Sequence, residues 1–190
     1  MKSSRNPIPA QAQMVFKGKI FEVWQWEQKL FDGTSAIFER LRRPNTTIVI
    51  ATTKDTVLVL EEEQPDSVAP FISIPGGRVD EDEEPAHAIK RELLEETGFE
   101  SDDWQLLRED NPIGKIEWTI YTYIARDIKK TKEPSPDAGE RITSKLISFE
   151  DFLELARNES FPEKHLIPML AVAALDPEKK EELRKLLFKR

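Results

Sequence analysis

Cysteine is absent from this chain of 190 residues, and histidine occurs only twice, as His87 and His165. The lack of cysteine excludes disulfides, thiolate nucleophiles and sulfur-ligated metals, and two histidines are too few for a histidine-rich zinc site. Carboxylates are the one abundant class of metal ligand, with 36 aspartate and glutamate residues. Because carboxylate oxygens prefer hard cations, we expect any bound metal to be Mg²⁺ or Mn²⁺.

Basic residues are in the minority, and long hydrophobic runs are missing. The formal net charge of −8 argues against bulk electrostatic binding of nucleic acid or an anionic membrane, although a local basic pocket could hold a phosphorylated small molecule. No segment approaches the ~20 apolar residues of a membrane span, and residues 1–13 lack the apolar stretch of a signal peptide. We therefore expect a cytoplasmic protein with no nucleic-acid or membrane partner.

The N-terminal part of the chain has the chemistry of β-strands. Residues 15–30 and 35–41 are rich in aromatic and β-branched side chains, and Asp32 and Gly33 between them are typical of a hairpin turn. This pattern predicts a small antiparallel β-meander. A hydrophobic content of 38% is enough for one folded unit with such an appendage.

Strand-like and helix-like segments alternate through the rest of the chain. Apolar and β-branched runs predict strands over residues 46–52, 57–60, 71–74, 104–107, 118–125 and 142–149. Amphipathic patterns predict helices over residues 85–97, 150–157, 164–175 and 177–188. The alternation predicts a mixed α/β (α+β) fold with three regions: a β-meander or dimerisation region at 1–44, a main domain at 45–176 and a C-terminal helix at 177–190.

The first predicted helix has clear end signals and an apolar face. Pro85 suits the first helical position, and Gly98 suits a left-handed cap after the last turn. Ala86, Ile89 and Leu93 fall on one face, which we expect to pack against the core.

Three acidic side chains share another face of this helix. At 100° per residue, Glu92 lies about 40° from Glu96 and about 60° from Glu95. Carboxylates at this spacing repel one another by roughly 0.2–0.5 kcal/mol per pair, and a divalent cation would reverse that penalty. Arg91, four residues before Glu95, can pair with it. A glutamate-rich face can equally be solvated surface, since 34% of the residues are charged.

The spacing of the whole segment distinguishes these two interpretations. Gly77 is followed by five residues, Glu83, seven residues and the run RELLEETGF over 91–99. Two glycines, four glutamates, an arginine and two apolar residues at these offsets occur by chance on the order of once in a million. The pattern matches the Nudix box without departure, and the chain resembles the Nudix hydrolases.

The resemblance implies a fold, a reaction and a set of ligands. It implies an α/β/α sandwich with a mixed β-sheet, a small N-terminal antiparallel β-domain, and hydrolysis of a phosphoanhydride with Mg²⁺ or Mn²⁺. Arg91 would fix the carboxylate geometry, and Gly77 would either form an ordinary turn or let the backbone approach the metal and pyrophosphate. The implied metal ligands are the Gly76 carbonyl group, Glu92, Glu95, Glu96 and Glu83, the last as a further ligand or as a support for the loop.

Beyond the box, the chain resembles the ADP-ribose pyrophosphatase branch over roughly residues 14–155. Residues 18–38 resemble the extra β-domain of that branch, and residues 74–77 (IPGG) resemble its strand and loop, although Ser73 replaces a common acidic residue. The resemblance implies a homodimer formed through the N-terminal region. It also implies a nucleoside diphosphate substrate, with cleavage of ADP-ribose to AMP and ribose 5-phosphate as the first choice.

Other functions remain open within the same resemblance. Nucleoside triphosphates and dinucleoside or coenzyme pyrophosphates are alternative substrates, and a non-catalytic nucleotide-sensing module is an alternative to an enzyme. A module without turnover is expected to lose metal ligands. The intact set of Glu92, Glu95 and Glu96 therefore favours an enzyme.

The general base and the substrate-binding residues are less well defined. Glu140 lies in a loop ahead of the last predicted strand, where related enzymes place a base, and Glu92 is the alternative. Arg42, Arg43 and Arg78 either bind phosphate or are ordinary exposed arginines.

Aromatic residues and one histidine also have two interpretations each. Trp24 and Trp26 either stack on an adenine or lie in the core or a dimer interface. Helical geometry places His87 away from the carboxylates, so we expect it to face solvent.

Overall fold

The N-terminal β-meander joins a later segment of the chain to form one sheet. A computed structural model describes residues 7–135, 139 and 141–189. The sheet has the strand order β1-β2-β3-β10, with antiparallel pairing of the first three strands and a parallel β3–β10 pair. Its strands are β1 Gln13–Lys17, β2 Glu22–Lys29, β3 Ser35–Arg42 and β10 Ile116–Glu117.

Strand character was predicted throughout residues 15–30, but two strands share this range. A turn separates β1 from β2, and the backbone N–H of Gly18 donates to the carbonyl of Phe21 at 2.8 Å. The hairpin predicted at Asp32 and Gly33 is present, with Gly33 at φ 89°. Strand β10 was not predicted, because two residues carry no readable alternation of apolar and polar side chains.

The main domain contains a mixed β-sheet and a neighbouring antiparallel sheet. The first has the order β7-β4-β11-β9, with β4 parallel to β11, and the second has the order β13-β5-β6. A two-stranded β12–β8 pair lies beside them. The strands are β4 Thr46–Ala51, β5 Thr56–Glu63, β6 Phe71–Ser73, β7 Gly76–Arg78, β8 Phe99–Glu100, β9 Asp103–Asp110, β11 Ile120–Arg126, β12 Lys129–Lys130 and β13 Arg141–Ser148.

Helices pack in two separate groups against these strands. The helices are α1 Pro85–Thr97, α2 Phe149–Glu154, α3 Ile167–Leu175 and α4 Pro177–Phe188, with a 3₁₀ turn at Leu155–Arg157 after α2. On one side, Ile89 and Leu93 of α1 are fully buried with Leu58 and Val49. On the other side, α2 to α4 contribute to a separate core that includes Phe152, Leu170 and Leu187. The predicted α/β/α arrangement is therefore confirmed.

The predicted core face of α1 needs one correction. Ile89 and Leu93 are buried as expected, but Ala86 is exposed and Ala88 is buried instead. The face that packs against the sheet is thus rotated slightly from the predicted one. His87 is exposed, as expected.

The C-terminal helix is fastened to the main domain by buried polar contacts. The guanidinium group of Arg126, only 3% exposed, donates from Nε to the carbonyl of Leu186 at 2.8 Å. The hydroxyl of Thr52 donates to the carbonyl of Leu187 at 3.0 Å. The division at 1–44, 45–176 and 177–190 stays a prediction.

None of the helices in the described part of the chain is both long and apolar enough to cross a membrane. A location in the cytoplasm stays a prediction.

Helix α1 begins and ends where predicted, because the residues at both of its ends favour those limits. Pro85 occupies the first turn, where a backbone N–H would have no acceptor within the helix, so the missing N–H of proline costs nothing. Gly98 adopts φ 74° and donates its N–H to the carbonyl of Leu94 at 2.9 Å. A Cβ atom on Gly98 would also collide with the carbonyl oxygen of Lys132. This glycine is therefore required by both its conformation and its neighbour.

We expect Gly98→Ala to destabilise the protein by about 2 to 4 kcal/mol, because it adds a clash to a left-handed conformation. Gly33→Ala is the matched control, since Gly33 has φ 89° but open space around its Cα. That control should cost only about 1 kcal/mol. Urea unfolding of both variants measures the difference, and equal losses would show that the Lys132 contact contributes nothing.

Candidate active site

Two adjacent glycines connect the β-sheet to the acidic helix. Gly76 and Gly77 belong to β7, which pairs with β4 through Ile48 and Thr47. The predicted loop thus begins as a short strand. This pairing carries the backbone of β7 along the side of α1, where the predicted metal ligands are located.

Neither glycine could carry a side chain without displacing a neighbour. A Cβ atom on Gly76 would overlap the carbonyl oxygen of Thr47 and the side chain of Ile48, and one on Gly77 would overlap the carboxylate of Glu92. Whether Gly77 forms an ordinary turn or lets the backbone approach a metal and pyrophosphate stays a prediction. The group that approaches it here is a box carboxylate.

Glu96 lies behind this glycine pair and is almost fully buried. Its side chain is 7% exposed, and its Oε2 atom accepts a hydrogen bond from the backbone N–H of Gly76 at 3.1 Å. A buried carboxylate is costly unless it is hydrogen-bonded. The contact therefore fixes the position of Glu96 relative to Gly76 at the start of β7.

Arg91 holds the other three acidic residues of the box. Its Nε and Nη2 atoms donate to the two carboxylate oxygens of Glu83 at 3.2 and 3.0 Å. Its Nη1 atom donates to Glu92 at 2.9 Å and to Glu95 at 3.2 Å. The expected Arg91–Glu95 pair is present, and the forked contact with Glu83 ties the preceding loop to the helix.

These contacts change the acid–base properties of the groups involved. Hydrogen bonds from Arg91 hold the pKa of Glu83 below its ordinary value. The same carboxylates raise the pKa of Arg91, with Glu83 contributing most. Within residues 7–135, 139 and 141–189, no three acidic or histidine side chains converge as a ready metal site. The guanidinium group of Arg91 lies among the acids instead.

The donor set nevertheless suits a divalent cation. Glu92 and Glu95 are close enough to share one Arg91 nitrogen, and Glu92 lies against the Cβ-free face of Gly77. All available donors are oxygens, which suit Mg²⁺ and Mn²⁺. The roles of Gly76, Glu83, Glu92, Glu95 and Glu96 as ligands stay a prediction.

A cavity of about 720 Å³ opens between the N-terminal sheet and the loop that leads into α1. Basic, aromatic and acidic side chains all line it. They are Lys17, Lys19, Arg42, Arg43, Trp118 and Tyr121 together with Glu22, Asp80, Glu81, Glu83, Glu84 and Glu117. The cavity therefore has a lining of mixed charge that includes Glu83 of the box.

The three candidate arginines have different environments. Arg42 is bound by Glu117 at 2.7 Å and lies over the ring of Trp24 at 4.6 Å, so it links β3 to β10. Arg43 lies over Trp118 at 4.6 Å and is half-buried. Burial, together with the positive charge of Arg78, lowers the pKa of Arg43. Arg78 is paired with Asp80 at 3.8 Å and is not among the described lining residues of the cavity, so Arg43 is the strongest of the three candidates.

The two candidate tryptophans pack within the N-terminal sheet. Trp26 is only 8% exposed and lies 6.1 Å from Phe38 between ring centroids. Trp24 has Arg42 over its ring and donates from Nε1 to Glu22 at 2.9 Å. Neither belongs to the described lining of the cavity. Their packing agrees with the core or interface interpretation rather than with adenine stacking.

Trp118 was not predicted as part of the site. It lines the cavity, and its Nε1 atom donates to the hydroxyl of Thr46 at 3.0 Å. The sequence placed Trp118 at the start of a strand but gave no sign that the residues just before it pair with β3. That pairing, which sets Glu117 opposite Arg42, brings Trp118 to Arg43.

Glu140, the leading candidate for the general base, lies outside the described residues. The chain approaching it contacts the box helix, because the backbone N–H of Ser135 donates to the carbonyl of Glu95 at 2.7 Å. The choice between Glu140 and Glu92 stays open.

A second pair of buried acids, also missed from the sequence, lies on the other side of the glycine turn. Glu62 and Glu163 are 7% and 8% exposed. Burial raises the pKa of Glu163 to about 8, the negative charge of Glu62 adds to the rise, and backbone N–H groups, first that of Glu163 itself, oppose it. The raised pKa favours the uncharged form of Glu163.

Comparisons with known proteins agree with this geometry. A family model described as the NUDIX domain matches residues 41–170. The chain is 27% identical over 151 residues to a "Methanol dehydrogenase activator" of Bacillus methanolicus, with 78% of this chain and 77% of that protein covered. It is 24% identical over 162 residues to an "ADP-ribose pyrophosphatase" of Bacillus subtilis strain 168, with 83% and 86% covered.

A solved structure described as an ADP compounds hydrolase has the same fold. The TM-score is 0.74, and the match covers 99% of this chain and 100% of the other at 19% sequence identity. The sheets, the box helix and its carboxylates define the class of Nudix hydrolases. Because the family model spans more than half of its length, this chain belongs to the Nudix family. Within that family it is similar to the ADP-ribose pyrophosphatase branch, as predicted.

The raised pKa of Glu163 makes a prediction about stability. Its ordinary value is 4.5 and its value in the folded protein is about 8, so the unfolded chain releases this proton first as the pH rises. As the pH rises from the lower to the higher of these values, the free energy of unfolding should decrease. The decrease should exceed that of Glu163→Gln by on the order of 1 to 3 kcal/mol. Urea unfolding at pH 5 and pH 8 would measure it. Glu159→Gln, at an exposed position, is the control, and parallel profiles for both variants and the unaltered protein would contradict the raised pKa.

Proposed function

We propose that this protein is a Mg²⁺- or Mn²⁺-dependent pyrophosphatase that hydrolyses a nucleoside diphosphate linked to another moiety, with ADP-ribose as the preferred candidate. The observation that carries the proposal is the position of the box carboxylates at the glycine turn, beside a cavity that holds Arg43. The similarity to an ADP-ribose pyrophosphatase supports the choice of substrate.

The metal would be held by Glu92, Glu95 and Glu96 together with the Gly76 carbonyl group. A bound divalent cation neutralises a pyrophosphate and lowers the pKa of the attacking water. Glu92 and Glu95 would exchange contacts with Arg91 for contacts with the cation. Arg91 would keep its forked hydrogen bonds to Glu83 and so keep the loop in place.

The cavity has the size for a phosphorylated small molecule and contains a basic group that could bind it. Its volume of about 720 Å³ is in the usual range of ligand sites, roughly 300 to 1,000 Å³. Arg43 lines it, so its guanidinium group can donate hydrogen bonds to phosphate oxygens. Trp118, beneath Arg43, would keep that guanidinium group oriented.

The reaction adds water across a phosphoanhydride bond. The water oxygen forms a new bond to one phosphorus atom, the bridging oxygen leaves with the other phosphate, and a base accepts the proton. Glu140 is our first choice of base, and Glu92 is the second. For ADP-ribose the products would be AMP and ribose 5-phosphate.

Glu96→Gln should lower the rate of AMP formation from ADP-ribose by at least ~100-fold in the presence of Mg²⁺, because it removes a charged metal ligand. The amide retains an acceptor for the Gly76 N–H, so the fold should be preserved, as thermal unfolding can check. Glu100→Gln, an exposed change just beyond the box, is the matched control. Full turnover by Glu96→Gln would refute the ligand assignment.

A substrate panel separates this proposal from its alternatives. ADP-ribose, other sugar nucleotides, dinucleoside and coenzyme pyrophosphates, and nucleoside triphosphates would each be incubated with the protein and Mg²⁺, and the phosphate products measured. Preference for a triphosphate would exclude the proposed class. Tight nucleotide binding without any product would favour a sensing module.

We also propose a homodimer formed by the outer face of the N-terminal sheet. Phe16 and Ile37 are 58% and 66% exposed. The strand register places both on the same face, since Phe16 is opposite Val23 and Ile37 is opposite Glu27. Large apolar side chains grouped on a sheet face are typical of an interface.

Replacing Phe16 and Ile37 together by serine should raise the dimer dissociation constant at least ~10-fold, because it removes apolar area from the interface. Light scattering coupled to gel filtration measures this. Leu175→Ser is the control, because Leu175 is 81% exposed but lies on α3. A monomeric unaltered protein at ~100 μM would contradict the proposed interface.

A further inference from the structure

The carboxylate of Glu117 joins segments that lie far apart in the chain. Its Oε1 atom accepts a hydrogen bond from Nε of Arg42 at 2.8 Å, and Nη2 of Arg42 lies 2.7 Å from the same oxygen. Its Oε2 atom accepts from the backbone N–H of Ile8 at 2.7 Å. Ile8 precedes β1, and Arg42 is the last residue of β3. One side chain of β10 therefore connects the segment ahead of the first strand to the end of the third.

The contact with Ile8 distinguishes this group from an ordinary surface ion pair. Exposed ion pairs contribute little to stability, because water screens them. Ile8, however, is only 8% exposed, and a backbone N–H shielded from water is costly unless an acceptor satisfies it. A hydrogen bond to a charged acceptor is about twice as strong as one between neutral groups. The Ile8 N–H therefore fixes the position of the Glu117 carboxylate.

The backbone of β10 gives little support of its own. The strand has two residues, and its register sets Glu117 opposite Arg42. The N–H of Arg43 donates to the carbonyl of Glu117 at 3.3 Å. Strands in folded proteins usually have three residues or more, because a shorter pairing forms few ladder hydrogen bonds. The side chain of Glu117 therefore adds contacts that so short a strand lacks.

The residue after Glu117 contacts the arginine of the cavity. The guanidinium group of Arg43 lies 4.6 Å from the centre of the Trp118 ring. Nε1 of Trp118 donates to the hydroxyl of Thr46 at 3.0 Å, and Nη2 of Arg43 lies 3.5 Å from the same hydroxyl. Glu117, Trp118 and Arg43 all line the cavity. A shift of β10 would therefore move the ring on which Arg43 lies.

An interpretation from charge alone gives Glu117 the opposite effect. Glu117 is an acid in the lining of a cavity that, under the proposed function, binds an anion. It also neutralises Arg42, which lines the same cavity. On charge alone, removal of Glu117 should strengthen the binding of an anion. A positioning role predicts weaker binding, so the two interpretations differ in the sign of the effect.

We propose that Glu117, anchored by the Ile8 N–H, is a positioning residue that holds Trp118 and Arg43 in the arrangement required to bind the pyrophosphate of the substrate. The inference deepens the proposed function and rests on it in taking the cavity as the substrate site. It assigns a role to an acid outside the box and to the segment ahead of β1.

Two measurements test this role. Isothermal titration calorimetry measures ADP-ribose binding in EDTA, which removes the metal needed for turnover, and NMR measures the Nε–H resonance of Arg43, which the Trp118 ring should shift. Glu117→Gln has a single carbonyl oxygen, so its amide nitrogen must face either Ile8 or Arg42, both of which are donors. It should weaken ADP-ribose binding about 10-fold and reduce the ring shift at Arg43.

Two further variants separate position from charge. Glu81→Gln is the matched control, because it removes an exposed acid from the lining of the same cavity. It should leave the Arg43 resonance unchanged and ADP-ribose binding unchanged or tighter. Glu117→Asp keeps the charge, but its shorter side chain cannot reach both donors, so it should weaken binding at least ~3-fold. The aspartate variant decides the question if thermal unfolding shows that Glu117→Gln does not fold.

Unchanged or tighter ADP-ribose binding in a folded Glu117 variant would overturn the proposal. An unchanged Arg43 resonance in that variant, or an equal loss of binding in Glu81→Gln, would overturn it as well. If the unaltered protein does not bind ADP-ribose, the proposed substrate fails, and the Arg43 resonance alone decides whether Glu117 positions this arginine.

Discussion

The geometry of the acidic box depends on one guanidinium group. Arg91 contacts Glu83, Glu92 and Glu95, and its planar donors bind both oxygens of Glu83. Without this charge the carboxylates would repel one another across the short distance between α1 and its preceding loop. A lysine could supply the charge but not the two parallel hydrogen bonds. The arginine therefore keeps Glu83, Glu92 and Glu95 close together.

A steric constraint complements this electrostatic one. The backbone of β7 runs so close to α1 and β4 that side chains at Gly76 and Gly77 would occupy positions taken by Thr47, Ile48 and the Glu92 carboxylate. This proximity allows the Gly76 N–H to satisfy the buried Glu96. Arg91 thus sets the spacing of the acids, and the two glycines set how close the backbone comes to them.

Short sequence patterns predicted those features that depend on residues close together in the chain. The limits of α1 follow from Pro85 and Gly98, and the Arg91–Glu95 contact follows from helical spacing. Contacts between distant segments could not be read from the sequence. Strand β10 joins the N-terminal sheet through the Arg42–Glu117 pair, whose residues are 75 positions apart. No periodicity encodes such a pairing, and the same is true of Arg43 on Trp118.

These distant contacts determine which side chains line the cavity. The Arg42–Glu117 pair neutralises one arginine and links β3 to β10, and the next residue, Arg43, lies over Trp118. Acidic residues line the cavity as well, both in the N-terminal sheet and in the loop before α1. A pyrophosphate bound with a divalent cation carries charges of both signs, so a lining of mixed charge suits the proposed substrate. Under the proposed function, the N-terminal sheet would contribute to recognition of the substrate as well as to the proposed dimer.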